Sequence, residues 1–170
     1  KHSLILDKNF FLFLNKNSRQ ILNINNLLIQ KAIYKSCLIK KKIVEKDENE
    51  KNLRKILNFG HTFAHAFEAT LKYSKKLNHG EAVLLGIISA SKFSLKNNLL
   101  SLKEFNLIQN HLIKFKLPVK LKNFFSIKYL KNIISFMKID KKNNNQKINL
   151  ILLKKIGKPV LNLNFENKSL

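Results

Sequence analysis

Acidic residues are scarce in this chain: 10 Asp and Glu stand against 33 Lys and Arg in 170 residues, a formal charge of +23. Arginine is scarcer still, with Arg19 and Arg54 alone contributing to that excess. Surfaces that read bases or clamp phosphate backbones recruit arginine for its planar fork. Here lysine is scattered through every segment beside abundant Asn, Ile, Leu and Phe, the texture of an A/T-rich codon bias. Despite the net charge, this distribution argues against a nucleic-acid-binding patch. A single cysteine, Cys37, excludes an intramolecular disulfide and a Cys-rich zinc module, and fits a reducing compartment. Any metal must then be held by nitrogen and oxygen. No apolar run approaches the ~18 residues of a membrane span, and the first residues lack the order of a signal peptide. The expectation is a soluble cytoplasmic protein. A start at Lys1 rather than methionine implies a piece of something longer.

What is present suffices for one core. At 170 residues and 45% hydrophobic, residues 1–170 read as a single domain without internal repeat or internal domain boundary. The spacing predicts a short helix over residues 3–14, a polar break at 15–18 and a five-turn helix from about 24 to 42. Asp47-Glu48-Asn49-Glu50 reads as the acidic approach to a helix carrying Arg54, Asn58, His61 and His65. After a loop at 71–78, residues 80–95 form an apolar pattern with small residues Ala82, Gly86, Ser89, Ala90 and Ser91, as in a central buried helix. Ser101-Leu102-Lys103-Glu104 is patterned as a capping box; that helix carries His111, structural or exposed, and ends at Pro118. A further helix is expected over 126–137 and a polar turn over 140–145. Residues 148–156 are β-prone up to Gly157, whereas the Asn-rich end after Leu161 is weakly specified. The expected fold is mainly α, a multi-helix bundle-like domain with a short β strand or hairpin near the C-terminus.

Three of the five histidines lie between Leu57 and Val83. His61 and His65, four apart, project from one helix face roughly 6 Å apart along the axis. His79 follows a polar loop, and if that loop folds back three imidazoles converge. Arg54, Asn58, His61 and His65, spaced four, three and four, form a polar stripe between apolar flanks, where a solvated face would carry Lys and Glu. Spacing alone leaves two readings open: a metal platform, or histidines satisfied by local backbone groups. Thr62 excludes H-E-x-x-H and with it that motif's general base. A catalytic zinc site wants three protein ligands and one open position, so the set is one carboxylate short. Glu68 and Glu81 are the local candidates, neither compellingly placed.

These residues carry a resemblance. Lys1 with L-I-L-D-K-N-F-F at 4–11, Lys40 with Ile43-Val44, D-E-N-E at 47–50, Leu53-Arg54, L-N-F-G-H-T-F-A-H-A-F-E-A at 57–69 and N-H-G-E-A-V at 78–83 follow one another in a familiar order. Met137, Asp140-Lys141-Lys142 and L-L-x-x-I-G at 152–157 continue it. Over almost its whole length the chain resembles the C-terminal helical domain of the 3-dehydroquinate synthase family. One departure is Ala64, where the family usually has Gly.

The resemblance implies that His61 and His79 ligate a divalent metal, usually zinc, with Co2+ or another divalent ion as substitutes. The third ligand would be a Glu three residues upstream of Lys1, outside the chain. It assigns His65 to proton transfer and phosphate handling, and Lys1, Lys40, Arg54 and Asn58 to the substrate's anionic and hydroxyl groups. One of Lys141 and Lys142, with Lys142 preferred, matches a late phosphate-binding residue of the catalytic set. NAD would be bound by an N-terminal domain absent from this chain, so no cofactor-binding residue is identified within it. The implied reaction cyclises 3-deoxy-D-arabino-heptulosonate 7-phosphate to 3-dehydroquinate in the shikimate pathway. Its course is transient oxidation of a ring hydroxyl, phosphate elimination, return of the hydride, ring opening and aldol closure. The implied assembly is a homodimer, and the fragment alone should not turn over. Rival readings are another sugar-phosphate cyclase, a metal-dependent polyol dehydrogenase and, from a different class, a basic RNA-binding domain.

Overall fold

The structure is a computed structural model that describes residues 1–117, 119–139 and 148–165. The chain runs α1 (His2–Leu6), α2 (Lys8–Leu22), α3 (Asn26–Lys46), a 3-10 helix (Leu53–Asn58), α4 (His61–Thr70), α5 (His79–Lys96) and α6 (Leu102–Lys114). Two 3-10 turns, Leu121–Asn123 and Ile127–Tyr129, lead into α7 (Leu130–Ile139), and an antiparallel hairpin follows, β1 (Ile148–Lys155) and β2 (Lys158–Phe165). The mainly α architecture with a C-terminal hairpin is as expected from the sequence. No helix among the described residues is long and apolar enough to cross a membrane.

Several boundaries differ from the pattern for identifiable reasons. Asp7 divides the first apolar run: its extended backbone ends α1, and its carboxylate accepts the Phe10 N–H at 2.8 Å to start α2. The polar stretch at 15–18 does not break α2, because Asn17 donates to the Phe13 carbonyl at 2.8 Å and Ser18 to that of Leu14, bonds directed back along the helix. In α3, Ile39 and Ile43 reach the core, but Leu27 at 78% and Ile33 at 58% exposure do not, so the apolar period there overstates burial. At α6 only half the capping box forms. Ser101 accepts from the Glu104 N–H at 3.3 Å, while the Glu104 side chain is buried and accepts from Lys8 Nζ at 2.8 Å and the Ile156 N–H at 2.9 Å. His111 is half-buried, 3.0 Å from Asn15 Oδ1 and edge-on to Phe11 and Phe115. The expected ends at Pro118 and in the 140–145 turn fall outside the described residues.

The core joins α1, α2, α3, α5 and α6 to β1, where Ile148, Leu150, Leu152 and Leu153 are buried. Ser94 ties helix to sheet by accepting the Leu153 N–H at 3.0 Å, and β2 extends through the weakly patterned end to Phe165. A smaller cluster under α4 gathers Ala64, Phe67, Leu77, Ala82, Leu85 and Phe125.

The largest departure is at Phe59-Gly60. The expected continuous helix from Arg54 to His65 is instead a 3-10 helix ending at Asn58 and an α-helix starting at His61. Phe59 is fully buried, and Gly60 turns the chain at φ +83, a left-handed conformation that disfavours side chains. Gly60 also lies backbone to backbone on Gly86 of α5: a Cβ on Gly86 would stand 2.1 Å from the Gly60 carbonyl oxygen, and one on Gly60 2.7 Å from the Ile87 nitrogen.

This contact yields an expected outcome opposite to helix propensity. Alanine is the better helix former by about 1 kcal/mol, yet Gly86→Ala should destabilise the protein by ~2 kcal/mol or more, since its methyl group collides with backbone rather than with a yielding side chain. Denaturant melts read the sign directly, and a gain in stability would show that α4 and α5 are not held at this distance.

Candidate metal and substrate site

His61 is the first residue of α4 and His79 the first of α5, so the close approach of the two helices brings their opening turns together. The His61 ring centroid lies 5.9 Å from that of His79 and 5.7 Å from that of His65, edge-on to both. The loop does fold back, with His61 between the other two rings.

The imidazole nitrogens of His61 and His79 are differentiated. His61 Nδ1 faces the Phe59 carbonyl at 3.4 Å, and His79 Nδ1 lies 3.0 Å from Glu68 Oε1. Carbonyl and carboxylate oxygens only accept, so each contact is made by an Nδ1–H and leaves the Nε2 lone pair for a metal. Burial first, then the Lys1 charge, pushes the His61 pKa down to about 4, against the opposing effect of the Phe59 carbonyl. Its imidazole is therefore neutral, the ligand-competent form.

The chemistry of this donor set fits a divalent zinc-like ion, but as an incomplete set. Among the described residues no group of three His, Cys, Asp or Glu side chains is placed to hold a metal ion. The two local carboxylates are otherwise engaged. Glu81 closes a capping box with Asn78, Glu81 N–H to Asn78 Oδ1 and Asn78 N–H to Glu81 Oε2, both 3.0 Å. Glu68 holds the far side of His79.

On the other side of His61 opens a cleft of about 240 Å³. Lys1, Lys40, Arg54 and Asn58 all line it, brought together from the start of α1, from α3 and from the 3-10 helix. Burial and the Lys40 charge lower the Lys1 ammonium pKa, the signature of two cations facing a common space. Asp47 organises the approach to this cleft: its carboxylate accepts the N–H groups of Lys51, Asn52 and Arg54 at 2.8–2.9 Å, and chiefly the Arg54 amide holds it below the usual carboxylate range.

The structure adds residues that the sequence pattern did not single out. His2 and Leu57 line the cleft, and so does Glu50, whose carboxylate accepts from Asn58 Nδ2 at 2.5 Å. Glu50 was hidden by its position in an acidic run with a helix-approach explanation. Its signal was its distance of four and eight residues from Arg54 and Asn58 in a chain with few acids. His65 stands one turn beyond His61 and is not among the residues lining the cleft. Lys141 and Lys142 lie outside the described residues.

Comparison with known proteins gives the family of the chain. The family model described as 3-dehydroquinate synthase C-terminal matches residues 1–143. A 3-dehydroquinate synthase of Pelagibacter ubique (strain HTCC1062) is 61% identical over 170 residues, covering 100% of this chain and 46% of the relative. One of Thermodesulfovibrio yellowstonii is 41% identical over 98% of the chain and 45% of its own length. The chain thus spans about half the length of the curated relatives it matches. Among solved structures, ValA, a 2-epi-5-epi-valiolone synthase of Streptomyces hygroscopicus subsp. jinggangensis 5008 with NAD+ and Zn2+ bound, superposes at a TM-score of 0.84. It does so with 18% identity over 99% of this chain and 46% of its own. A 2-deoxy-scyllo-inosose synthase complexed with carbaglucose-6-phosphate, NAD+ and Co2+ gives a TM-score of 0.68, with 24% identity over 82% of this chain and 40% of its own. At these identities the two structures share the fold. On the match across residues 1–143, this chain belongs to the 3-dehydroquinate synthase C-terminal family.

Proposed function

We propose that this chain supplies the metal-binding histidines and most of the substrate pocket of a 3-dehydroquinate synthase, which converts 3-deoxy-D-arabino-heptulosonate 7-phosphate to 3-dehydroquinate and phosphate. The observation that carries the reading is the pairing of His61 and His79, each with Nδ1 against an oxygen acceptor, beside a cleft lined by Lys1, Lys40 and Arg54. Residues 1–170 form the helical domain of a longer chain. A glutamate preceding Lys1 completes the ligand set, and an N-terminal domain binds NAD. The working enzyme is a soluble cytoplasmic homodimer, and the helical domain alone is inactive.

When bound, a divalent metal supplies Lewis acidity to a substrate oxygen and NAD a transient hydride acceptor. The residues of this chain do the rest by charge and position. Lys1, Lys40 and Arg54 neutralise the carboxylate and phosphate of the substrate, with Lys142 as a further phosphate contact. A low-dielectric cleft strengthens each of these attractions and fixes the sugar ring's orientation. Asn58, braced by Glu50, is restricted in rotation and offers its amide to a ring hydroxyl. His65, beside His61 but turned out from its helix, accepts and returns a proton near the departing phosphate.

In the full-length protein, His61→Ala and His79→Ala should each abolish metal retention, whereas His65→Ala should retain metal and lose turnover by roughly two to four orders of magnitude. Metal analysis of the purified variants beside phosphate-release kinetics separates the roles, and normal zinc content in the first two variants would defeat the assignment.

With catalytic NAD and zinc, the full-length enzyme should release phosphate from 3-deoxy-D-arabino-heptulosonate 7-phosphate without net NADH accumulation. Steady NADH production from a polyol would instead identify a dehydrogenase, and activity confined to a different sugar phosphate another cyclase.

A further inference from the structure

Glu68 is the most deeply buried acid near the site, and the substrate chemistry makes no use of it. It lies on α4 seven residues after His61, two helical turns, so the two side chains leave the same face and both meet the first residue of α5. Its carboxylate is 3.0 Å from His79 Nδ1. The His79 side chain is 62% exposed, so packing leaves the rotation of its ring open, while the Glu68 side chain is 11% exposed and fixed by the α4 face. The rigid member of the pair is the acid, and the member that needs a defined direction is the imidazole.

We infer that Glu68 is a positioning residue for His79: by accepting the Nδ1–H from a buried, fixed position it directs Nε2 toward His61 and presets the metal-ligand pair. The inference rests on the proposed metal role of His61 and His79. It also accounts for a carboxylate at this position. Burying an anion is costly unless it is paired, and the cost is offset when a cation sits on the other nitrogen of the imidazole it holds. Carboxylates that hold the second nitrogen of a ligating histidine raise its basicity and fix its tautomer, and losing one typically weakens metal affinity 10–100-fold.

The test uses the full-length protein and its Glu68→Gln, Glu68→Ala and His79→Ala variants. Zinc affinity is measured by competition with a chromophoric chelator, the ligand field by the absorption spectrum of the Co2+-loaded protein, and the fold by thermal melting of the metal-free form. Glu68→Ala should weaken zinc binding roughly 10–100-fold and alter the cobalt bands. Glu68→Gln, which keeps an acceptor oxygen, should recover part of the affinity and melt with the wild type. Wild-type affinity and cobalt spectra in both Glu68 variants would overturn the inference. So would a loss of affinity that only follows a lowered metal-free melting temperature in both. If His79→Ala binds zinc as the wild type does, the underlying metal reading fails instead, and the inference with it.

Discussion

The contact on which the site depends is between two glycine backbones. Gly60 and Gly86 approach so closely that a Cβ on either would collide with main-chain atoms of the other helix or turn. A hydrophobic interface alone does not fix such a distance, because side chains can repack. Two bare backbones in contact leave little freedom, and they set how far the start of α4 lies from α5, two turns after His79. His61 follows Gly60 directly, and His79 opens the helix that carries Gly86. Phe59 and Ile87, the neighbours of these glycines, lie in the larger core, so the contact ties the imidazole pair to that core.

From that contact the polar groups fall into two territories. On one side of His61 are imidazole nitrogens steered by Phe59 and Glu68. On the other is a cleft in which Lys1 and Lys40 face each other and Glu50 braces Asn58. The large positive charge of the chain matters little to this arrangement, since most lysines are solvated and screened beyond about 10 Å at ordinary ionic strength. What distinguishes the cleft is convergence: Lys1, Lys40 and Arg54 come from parts of the chain separated by tens of residues, and the fold makes them neighbours.

Much of this was legible in the sequence where local pattern and tertiary demand agree. The small residues of α5 announce a buried helix, and the β-prone run over 148–156 broken by Gly157 announces the hairpin. The histidine pair was legible as chemistry, its ligand assignment only through resemblance. Where pattern and fold part, the pattern remains in phase by coincidence. Arg54, Asn58, His61 and His65 keep a helical spacing across a turn that is not helical, because a 3-10 segment and an α-helix joined at Gly60 restore the same side to the site. Nothing in a period reveals such a break; the glycine does, once its close contact with Gly86 is known. Glu50 and Glu104 were obscured for another reason. Each has an adequate local explanation, an acidic helix approach and a capping box, and each is used instead for a partner distant in sequence or across a turn.

Glu104 shows how far the site's support extends. Its carboxylate joins Lys8 at the start of α2 to the Ile156 N–H at the hairpin turn, and the next amide, Gly157 N–H, donates to the Leu4 carbonyl of α1 at 2.7 Å. The hairpin thereby grips the α1–α2 junction from both sides of Asp7. Gly157, at φ +84, fits against that junction with space for little else: a Cβ would lie 3.2 Å from the Lys8 nitrogen. Because α1 is only five residues long, it has little stability of its own and takes its position from this clamp together with the packing of Leu4 and Ile5 in the core. Lys1 lies at its other end, lining the cleft. No described residue of the C-terminal hairpin lines the cleft, yet the hairpin helps to hold Lys1 across that cleft from Lys40.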